Sequence, residues 1–287
     1  LAIKEKALGG DHPSTATSLN NLAGLYESMG RFADALPLLR RALRIVSVSD
    51  VTDRSREHGA IEHLAKMSAN LAGFLDKHGG EAATDEAIFY YKLSVNTRQR
   101  LRAGAKGLDQ ATRDSLTRQL ADPYYELAKL LVRRGRLAES ERVLFLLKES
   151  ELHGYLRRNG AAAGELAALS WTPTEEAYQR ALDEVARLWR AFEQKRAEVL
   201  ERVRQGRLAR DAAEVLALEA EPSQLDNRTG NLMNDAVTHF TEASRKLWEA
   251  RQQGFELTRT ALADKLAEIA KHTPAVTAGC NLIQHAD

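Results

Sequence analysis

Residues 19–42, with the sequence LNNLAGLYESMGRFADALPLLRRA, contain two amphipathic segments on either side of Gly30. Within each segment the large and small apolar residues recur every three or four positions, as the turns of a helix require. They are Leu19, Leu22, Ala23 and Tyr26 in the first segment and Phe32, Ala35, Leu39 and Ala42 in the second. The pattern predicts two helices that turn at Gly30, with Ala23 and Ala35 at their closest approach.

This helical pair recurs along the chain. Residues 70–74, NLAGF, repeat residues 21–25, NLAGL, 49 residues later, and a third copy begins around Tyr124, 56 residues further on. We therefore predict three repeats, at 14–48, 62–100 and 120–153. A single helix pair cannot cover its own apolar face, so the three pairs are expected to stack into a short right-handed solenoid with a concave side over residues 1–158.

The second half of the chain predicts longer helices. Residues 159–174 read as a linker, and Thr172 or Thr174 can cap the next helix, whose first turn holds Pro173 and two carboxylates. Apolar residues then alternate by four and three through 175–204 and again through 232–271. We expect an antiparallel coiled-coil hairpin over 175–272, with a short helix at 208–218 that ends at Pro222, a loop at 223–231, and 273–287 as a tail or the start of a missing domain. The predicted fold class is all-α.

Composition excludes several classes of protein. Lys and Arg total 41 and Asp and Glu total 40, so no global field attracts nucleic acid or an anionic surface. One cysteine precludes an internal disulfide framework. No apolar run is long enough for a membrane span, and we expect a cytoplasmic protein. The first residue is Leu rather than Met, so we expect a piece of something longer.

No credible active site can be assembled from the sequence, and we predict that this chain is not an enzyme and holds no cofactor. Cys280 lies near His272 and His285, an arrangement that can activate a thiol. Residues 275–287 are too short to add a substrate cleft and an oxyanion hole, so Cys280 is expected to be a small buried residue.

Metal and nucleotide sites are also not expected. His58, Glu62 and His63 lie near one another but lack the third and fourth convergent ligands that a metal site needs. No glycine-rich phosphate-binding motif occurs. Residues 92–118 are locally basic, which indicates either an acidic partner or an ordinary solvated segment.

The repeat resembles the tetratricopeptide repeat, which has large residues at positions 4, 7, 11, 17 and 24 and small residues at 8, 20 and 27. Residues 16–48 match all eight positions. The segments GGDHP (9–13) and NNLAGL (20–25) are similar to the 42-residue variant of kinesin light chains and many bacterial multi-repeat proteins. The resemblance implies an α-solenoid that binds a peptide or partner protein in its concave groove.

The same resemblance places particular side chains of the first helix of each repeat in the groove. Asn21 and Asn70 would clamp a peptide backbone, since an amide offers both a donor and an acceptor; alternatively, they bond only neighbouring helices. The predicted partner-binding residues are Thr17, Asn20, Asn21, Glu27, Lys66, Asn70, Asp76, Lys77, Tyr125, Lys129 and Arg133.

Two other functions stay open at this point. The order of parts is similar to bacterial proteins in which such repeats precede a caspase-like CHAT domain, with the phrase VLFLLKESE (143–151) ending the last repeat and Thr273-Pro274 leading to the peptidase. The chain would then be the regulatory half of a cysteine protease, holding a caspase-like domain or an effector protein as partner. A third hypothesis is self-association through the coiled coil at 175–271.

Overall fold

Eight α-helices and no strand occur in residues 12–49, 57–104, 122–156, 168–209 and 212–272, the parts that the computed structural model describes. The all-α fold is therefore confirmed. In chain order the helices are α1 (Pro13–Ser28), α2 (Phe32–Ser49), α3 (Glu57–His78), α4 (Gly80–Gly104), α5 (Asp122–Arg133), α6 (Leu137–Leu156), α7 (Pro173–Arg204) and α8 (Ala213–His272).

Three of the turns between consecutive helices share one glycine-dependent geometry. Gly30, Gly135 and Gly206 have φ angles of 73°, 64° and 68°, in the left-handed region that a side chain disfavours. In each turn the amide after the glycine donates a hydrogen bond across the helix end, which satisfies a terminal carbonyl. These bonds run from Arg31 to Tyr26 (2.8 Å), from Arg136 to Leu131 (2.8 Å) and from Arg207 to Arg202 (2.9 Å).

The first six helices form three antiparallel pairs around a continuous apolar core. We call α1, α3 and α5 the inner helices and α2, α4 and α6 the outer helices. The small residues of the repeat pattern, among them Ala23, Ala35 and Ala72, are buried where paired helices approach closely. Leu71 and Leu127 occupy equivalent positions of the second and third repeats, and both are completely buried in the same core.

The helix α7 begins with the cap that its sequence indicates. The hydroxyl of Thr172 accepts a hydrogen bond from the Glu175 amide (3.3 Å), and the Glu175 carboxylate accepts one from the Thr172 amide (2.8 Å). This reciprocal arrangement satisfies two amides at the helix start, where Pro173 needs none.

Two expectations for the following region are wrong. Residues 223–231 are helical, although their turn chemistry predicts a loop, and α8 begins at Ala213 with Pro222 in its interior, which replaces the predicted short helix at 208–218. Leu218 and, beside it, Leu225 pack against the cluster around Trp189 and Phe192 of α7. This packing outweighs the local turn chemistry of the segment.

The molecule divides into two compact units, Leu1–Glu242 and Ala243–Asp287. In the first unit, Leu169, Tyr178 and Phe240 belong to the same apolar core as the repeats. In the second, Arg245 and Glu249 form an ion pair one helical turn apart (2.7 Å). The predicted division into solenoid, linker and coiled-coil hairpin stays a prediction.

Replacing the core residue Leu71 by Ala should lower the free energy of unfolding by about 2–5 kcal/mol, because it leaves a cavity among side chains that cannot fully collapse. Urea unfolding followed by circular dichroism measures the change. The matched variant Leu200→Ala removes the same atoms from an exposed position, and its effect should stay within about 0.5 kcal/mol. Equal losses for the two variants would contradict the core described above.

Candidate functional site

The eleven predicted groove residues all lie on inner helices, and none of them is buried. Six are exposed and five are half-buried. The exposed residues are Asn21, Lys66, Lys77, Tyr125, Lys129 and Arg133, and the half-buried ones are Thr17, Asn20, Glu27, Asn70 and Asp76. Their shared accessibility is the property that a binding surface requires.

The two clamp asparagines differ in their surroundings. Asn70 on α3 donates from its Nδ2 to the Oδ1 of Asn20 on α1, at 2.8 Å. Asn21 is exposed, and its side chain makes no hydrogen bond within the described part of the protein. Asn70 therefore does bond a neighbouring helix. The role of either asparagine in clamping a peptide stays a prediction.

Charged side chains also join the inner helices. Glu27 on α1 lies 2.9 Å from His78 Nε2 and 3.8 Å from Lys77 Nζ, both on α3. Asp76 on α3 lies 2.5 Å from an Nη atom of Arg133 on α5. At each junction an acidic side chain of one inner helix therefore faces a basic side chain of the next inner helix.

Other groove residues bond within their own helix. Lys129 pairs with Glu126 at 2.8 Å, and the hydroxyl of Thr17 donates to the Pro13 carbonyl at 3.5 Å. Both pairs are exposed or half-buried, so solvent or a ligand competes for them readily.

Gly73 allows a side chain of an outer helix to approach an inner helix closely. A Cβ at Gly73 of α3 would lie 3.3 Å from the hydroxyl oxygen of Tyr91 on α4. Burial, followed by the nearby charges of Glu126 and Asp76, raises the pKa of Tyr91. The phenol therefore stays neutral, and its hydroxyl lies against α3 at Gly73.

Sequence reasoning missed a charge cluster on the outer side, made of the buried Lys92, Arg136 and Glu175 and the half-buried Glu139. Lys92 Nζ lies 2.7 Å from Glu175 and 2.9 Å from Glu139, and Arg136 lies 2.8 Å from Glu175 and 2.7 Å from Glu139. Two cations thus meet two anions, which makes burial of the group tolerable. The cluster joins the outer helices α4 and α6 to the first turn of α7.

The cluster corrects the interpretation of the basic segment at 92–118. Lys92 and Arg98 of that segment are buried, and Lys92 also donates to the Ser170 carbonyl at 2.8 Å. Neither residue is available to an acidic partner, and residues 105–118 lie outside the described residues. A sequence signal for the cluster existed in Glu175, which stands where a capping box places a carboxylate, but its cationic partners are far away in the chain.

An aromatic group next to this cluster completes the attachment of α7. The hydroxyl of Tyr178 donates to Glu86 on α4 (2.9 Å) and lies 3.0 Å from the hydroxyl of Tyr90. Arg40 on α2 donates to the same carboxylate at 3.1 Å. Tyr178 is therefore a contact residue of the outer helices as well as part of the apolar repeat of α7.

A cleft of about 500 Å³ lies between α2 and the α7–α8 pair. Apolar residues such as Leu36, Val185 and Val237 line it, with arginines at its edge. Arg44 is the best defined of these, because its guanidinium lies 3.7 Å from the Trp189 ring centre and 3.6 Å from Asp226. The sequence predicts none of the cleft residues as a binding residue.

The described residues also bear on two other kinds of feature, metal sites and membrane-spanning helices. Among those residues, no three or more His, Cys, Asp or Glu side chains are placed to hold a metal ion. None of the helices described combines the length and apolarity needed to cross a membrane. Cys280 and His285, together with residues 273–287 as a group, lie outside the described residues.

With this geometry in place, comparison with known proteins identifies the first repeat. Residues 1–47 match the family model of the tetratricopeptide repeat. Tetratricopeptide repeats generally mediate protein–protein interaction and are typically non-enzymatic. No curated protein sequence matches the chain.

The match supports a tetratricopeptide repeat protein without naming its subtype. The similarity to the kinesin-light-chain variant and to proteins with a CHAT domain stays a prediction. So do the cytoplasmic location and the absence of enzymatic activity.

The variant Glu175→Gln should lower the free energy of unfolding by about 3–5 kcal/mol, because it removes a buried negative charge that faces the two buried cations Lys92 and Arg136. Urea unfolding measures this loss. The control Glu184→Gln acts on the same helix at an exposed carboxylate paired with Arg187, and it should change stability little. If Glu184→Gln lowered stability as much as Glu175→Gln, the loss would come from removing any carboxylate of α7, and the role assigned to the charge cluster would be contradicted.

Acid should weaken the cluster through Glu139. Burial alone would raise the pKa of Glu139, but hydrogen bonds from Arg136 and then Lys92 outweigh it and lower the pKa to about 2, from an ordinary 4.5. A pKa that is depressed in the folded state stabilises the protein above the unfolded value, and this stabilisation is lost as the pH falls through the folded value.

Between pH 4.5 and 2, urea midpoints should therefore fall more steeply for the parent protein than for Glu139→Gln. Glu141→Gln, at an exposed position on the same helix, should retain the parent's slope. Parallel pH profiles for the parent and Glu139→Gln would contradict the role assigned to this carboxylate.

Proposed function

We propose that the inner helices α1, α3 and α5 bind a peptide or an extended segment of a partner protein. The support begins with the family match over residues 1–47, because tetratricopeptide repeats generally mediate protein–protein interaction. It continues with the eleven groove residues, all of them accessible on the inner helices. A groove of this kind binds without performing chemistry on its ligand.

The observation that carries the proposal is the side on which the α7–α8 pair packs. Its polar contacts go to outer helices: Lys92, Tyr90 and Glu86 on α4, and Arg136 at the start of α6. The buried Glu175 and Tyr178 of α7 are thus used in contacts with the outer layer. The inner helices keep exposed side chains that this packing does not require.

The polar pattern of the groove suits a peptide backbone. An extended backbone presents alternating donors and acceptors, and an asparagine amide matches both. Asn21 supplies such an amide, while the amide of Asn70 is oriented by its hydrogen bond to Asn20. Lys66 and Lys129 add exposed cations that attract carboxylates of a ligand.

A peptide array of random sequences tests this proposal. The triple variant Asn21→Ala, Lys66→Glu, Lys129→Glu should weaken binding of the selected peptides at least about tenfold, because it removes the free amide and reverses two groove charges. Fluorescence anisotropy with the selected peptides measures the affinity.

A matched triple variant on the second half of the chain serves as the control. Asn227→Ala, Arg207→Glu and Lys246→Glu change the same kinds of exposed residue and should leave the affinity unchanged. Binding that survives the groove variant, or that is lost equally in the control, rejects the inner helices as the binding surface.

A further inference from the structure

The cleft between α2 and the α7–α8 pair has the size of a small-molecule site, at about 500 Å³. Its walls are mostly apolar, with Leu36 from α2, Val185 from α7, and Met233 and Val237 from α8. Leu36, Met233 and Val237 are only half-buried, although they pack against the main core. Apolar surface therefore stays accessible inside a concave space within the first compact unit.

Contacts between α7 and α8 give the cleft a direction. The rings of Tyr178 and Phe240 lie 4.8 Å apart, and Trp189 Nε1 donates to Thr229 Oγ1 at 3.4 Å. The two helices therefore run antiparallel along the cleft, which has one end near Trp189 and the other near Tyr178.

The end near Trp189 carries charge. The guanidinium of Arg44 lies 3.7 Å from the centre of the Trp189 ring, and this stacking orients its plane. Arg44 also lies 3.6 Å from the carboxylate of Asp226, whose side chain is 59% exposed, whereas that of Arg44 is 12% exposed. Because an ion pair with so exposed a carboxylate is weak, the carboxylate of a ligand can replace Asp226 at little cost.

Arg40 adds a second guanidinium one helical turn before Arg44, on the same face of α2. Its Nη2 donates to Glu86 at 3.1 Å, and Glu86 also accepts a hydrogen bond from Tyr178 at 2.9 Å. Nε and Nη1 of Arg40 donate to no described residue, and the side chain is 34% exposed. Glu86 thus holds Arg40 at the cleft and leaves part of its donors for a ligand.

The wall that extends from Trp189 toward Tyr178 is apolar. Among the described residues, α7 lines the cleft with Leu182, Val185 and Ala186. The seven residues from Leu182 to Trp189 span about 10 Å at the rise of an α-helix. The cleft therefore joins a cationic end to an apolar passage.

Gly230 widens the cleft on the side of α8. A Cβ at this position would meet no atom of the described residues within 4 Å, so no packing contact there requires a glycine. Glycine in the interior of a helix is destabilising relative to alanine, but it lets a ligand approach the backbone closely. A residue unfavourable for the helix thus stands where a side chain would narrow the cleft.

We propose that this cleft binds a single-chain amphipathic carboxylate of the fatty-acid type. Its carboxylate accepts hydrogen bonds from Arg44 and Arg40, and its alkyl chain lies against Val185 and Met233 beside Gly230. Burial of the chain removes apolar surface of both ligand and protein from water. The site belongs to α2, α7 and α8, and it is separate from the inner helices that bind a peptide.

The head group is chosen by the partners that the arginines already have. Arg40 pairs with the carboxylate of Glu86, and Arg44 faces that of Asp226. A planar guanidinium matches a carboxylate through two parallel hydrogen bonds, a geometry that a hydroxyl or an ammonium group cannot reproduce. Charge complementarity therefore favours an anionic head group over a neutral or cationic one.

Isothermal titration calorimetry with dodecanoate, kept below its micelle concentration, tests the proposal on the 287-residue protein. Dodecanoate should bind saturably, with one molecule per chain. Dodecyltrimethylammonium, which has the same alkyl chain and the opposite charge, should not bind.

Asp226→Asn should tighten dodecanoate binding about two- to fivefold, because it removes the carboxylate that competes for Arg44. Asp235→Asn changes an exposed acid of the same helix outside the cleft lining, and it should leave the affinity unchanged. An equal gain in the two variants would mean that general charge, and not the place of Asp226 at Arg44, sets the affinity, which contradicts the site.

Gly230→Leu should weaken dodecanoate binding at least about tenfold, because the new side chain occupies the cleft. The matched variant Gly254→Leu makes the same change in the same helix, where a Cβ also meets nothing within 4 Å, and it should bind as the parent does. Circular dichroism and urea unfolding check that both variants are folded, and Gly230→Leu should not lower the urea midpoint.

A parent protein that does not bind dodecanoate saturably overturns the proposal. In that case, a lowered urea midpoint of Gly230→Leu would indicate that a segment of the chain itself fills the cleft. An average mass that rises with concentration for the parent but not for Gly230→Leu would indicate a second copy there.

Equal affinities for dodecanoate and dodecyltrimethylammonium also overturn the proposal, as does a Gly230→Leu variant that binds like the parent. Peptide binding by the inner helices is measured separately. Its failure leaves the carboxylate site in place, and the reverse holds as well.

Discussion

The charge cluster of the buried Lys92, Arg136 and Glu175 with the half-buried Glu139 decides how the two halves of the first compact unit fit together. Charges out of water are costly unless each has a partner, and here each cation has two carboxylates within 3 Å. Any displacement of the first turn of α7 would separate Glu175 from both cations at once. The cluster thus selects one position for α7 on the outer helices, which apolar packing alone would select less strictly.

The position of α7 explains why the two layers of helices differ in composition. Outer helix α4 carries Ile88, Phe89 and Tyr90 in succession, and all three are buried, so no face of that stretch is left for solvent. A two-layer solenoid on its own needs a polar outer side. The apolar outer side of α4 is stable here because Tyr178 and Phe240 cover it. The inner helices, in contrast, combine a buried stripe with polar residues such as Asn21 and Lys66.

The sequence predicts the repeat helices well because their signals are local. Gly30 and Gly135 stand at turns that require a positive φ, and the apolar spacing needs only a few helical turns to be recognised. The polar contacts of α7 could not be predicted in the same way. Lys92 and Glu175 are 83 residues apart, and neither differs in type from the many exposed Lys and Glu of the protein. The loop predicted at 223–231 is wrong for a related reason, since Leu225 and Thr229 pack against Trp189 and override residues typical of turns.

The junctions between consecutive repeats are filled with different chemistries. Phe32 and His78 stack as rings, and Glu81 and Arg134 form an ion pair. An exchanged order of repeats would separate Arg134 from the carboxylates of Glu81 and Asp85, and would leave these charges without their partners. Repeats that share one backbone plan therefore keep a unique order through their junction side chains.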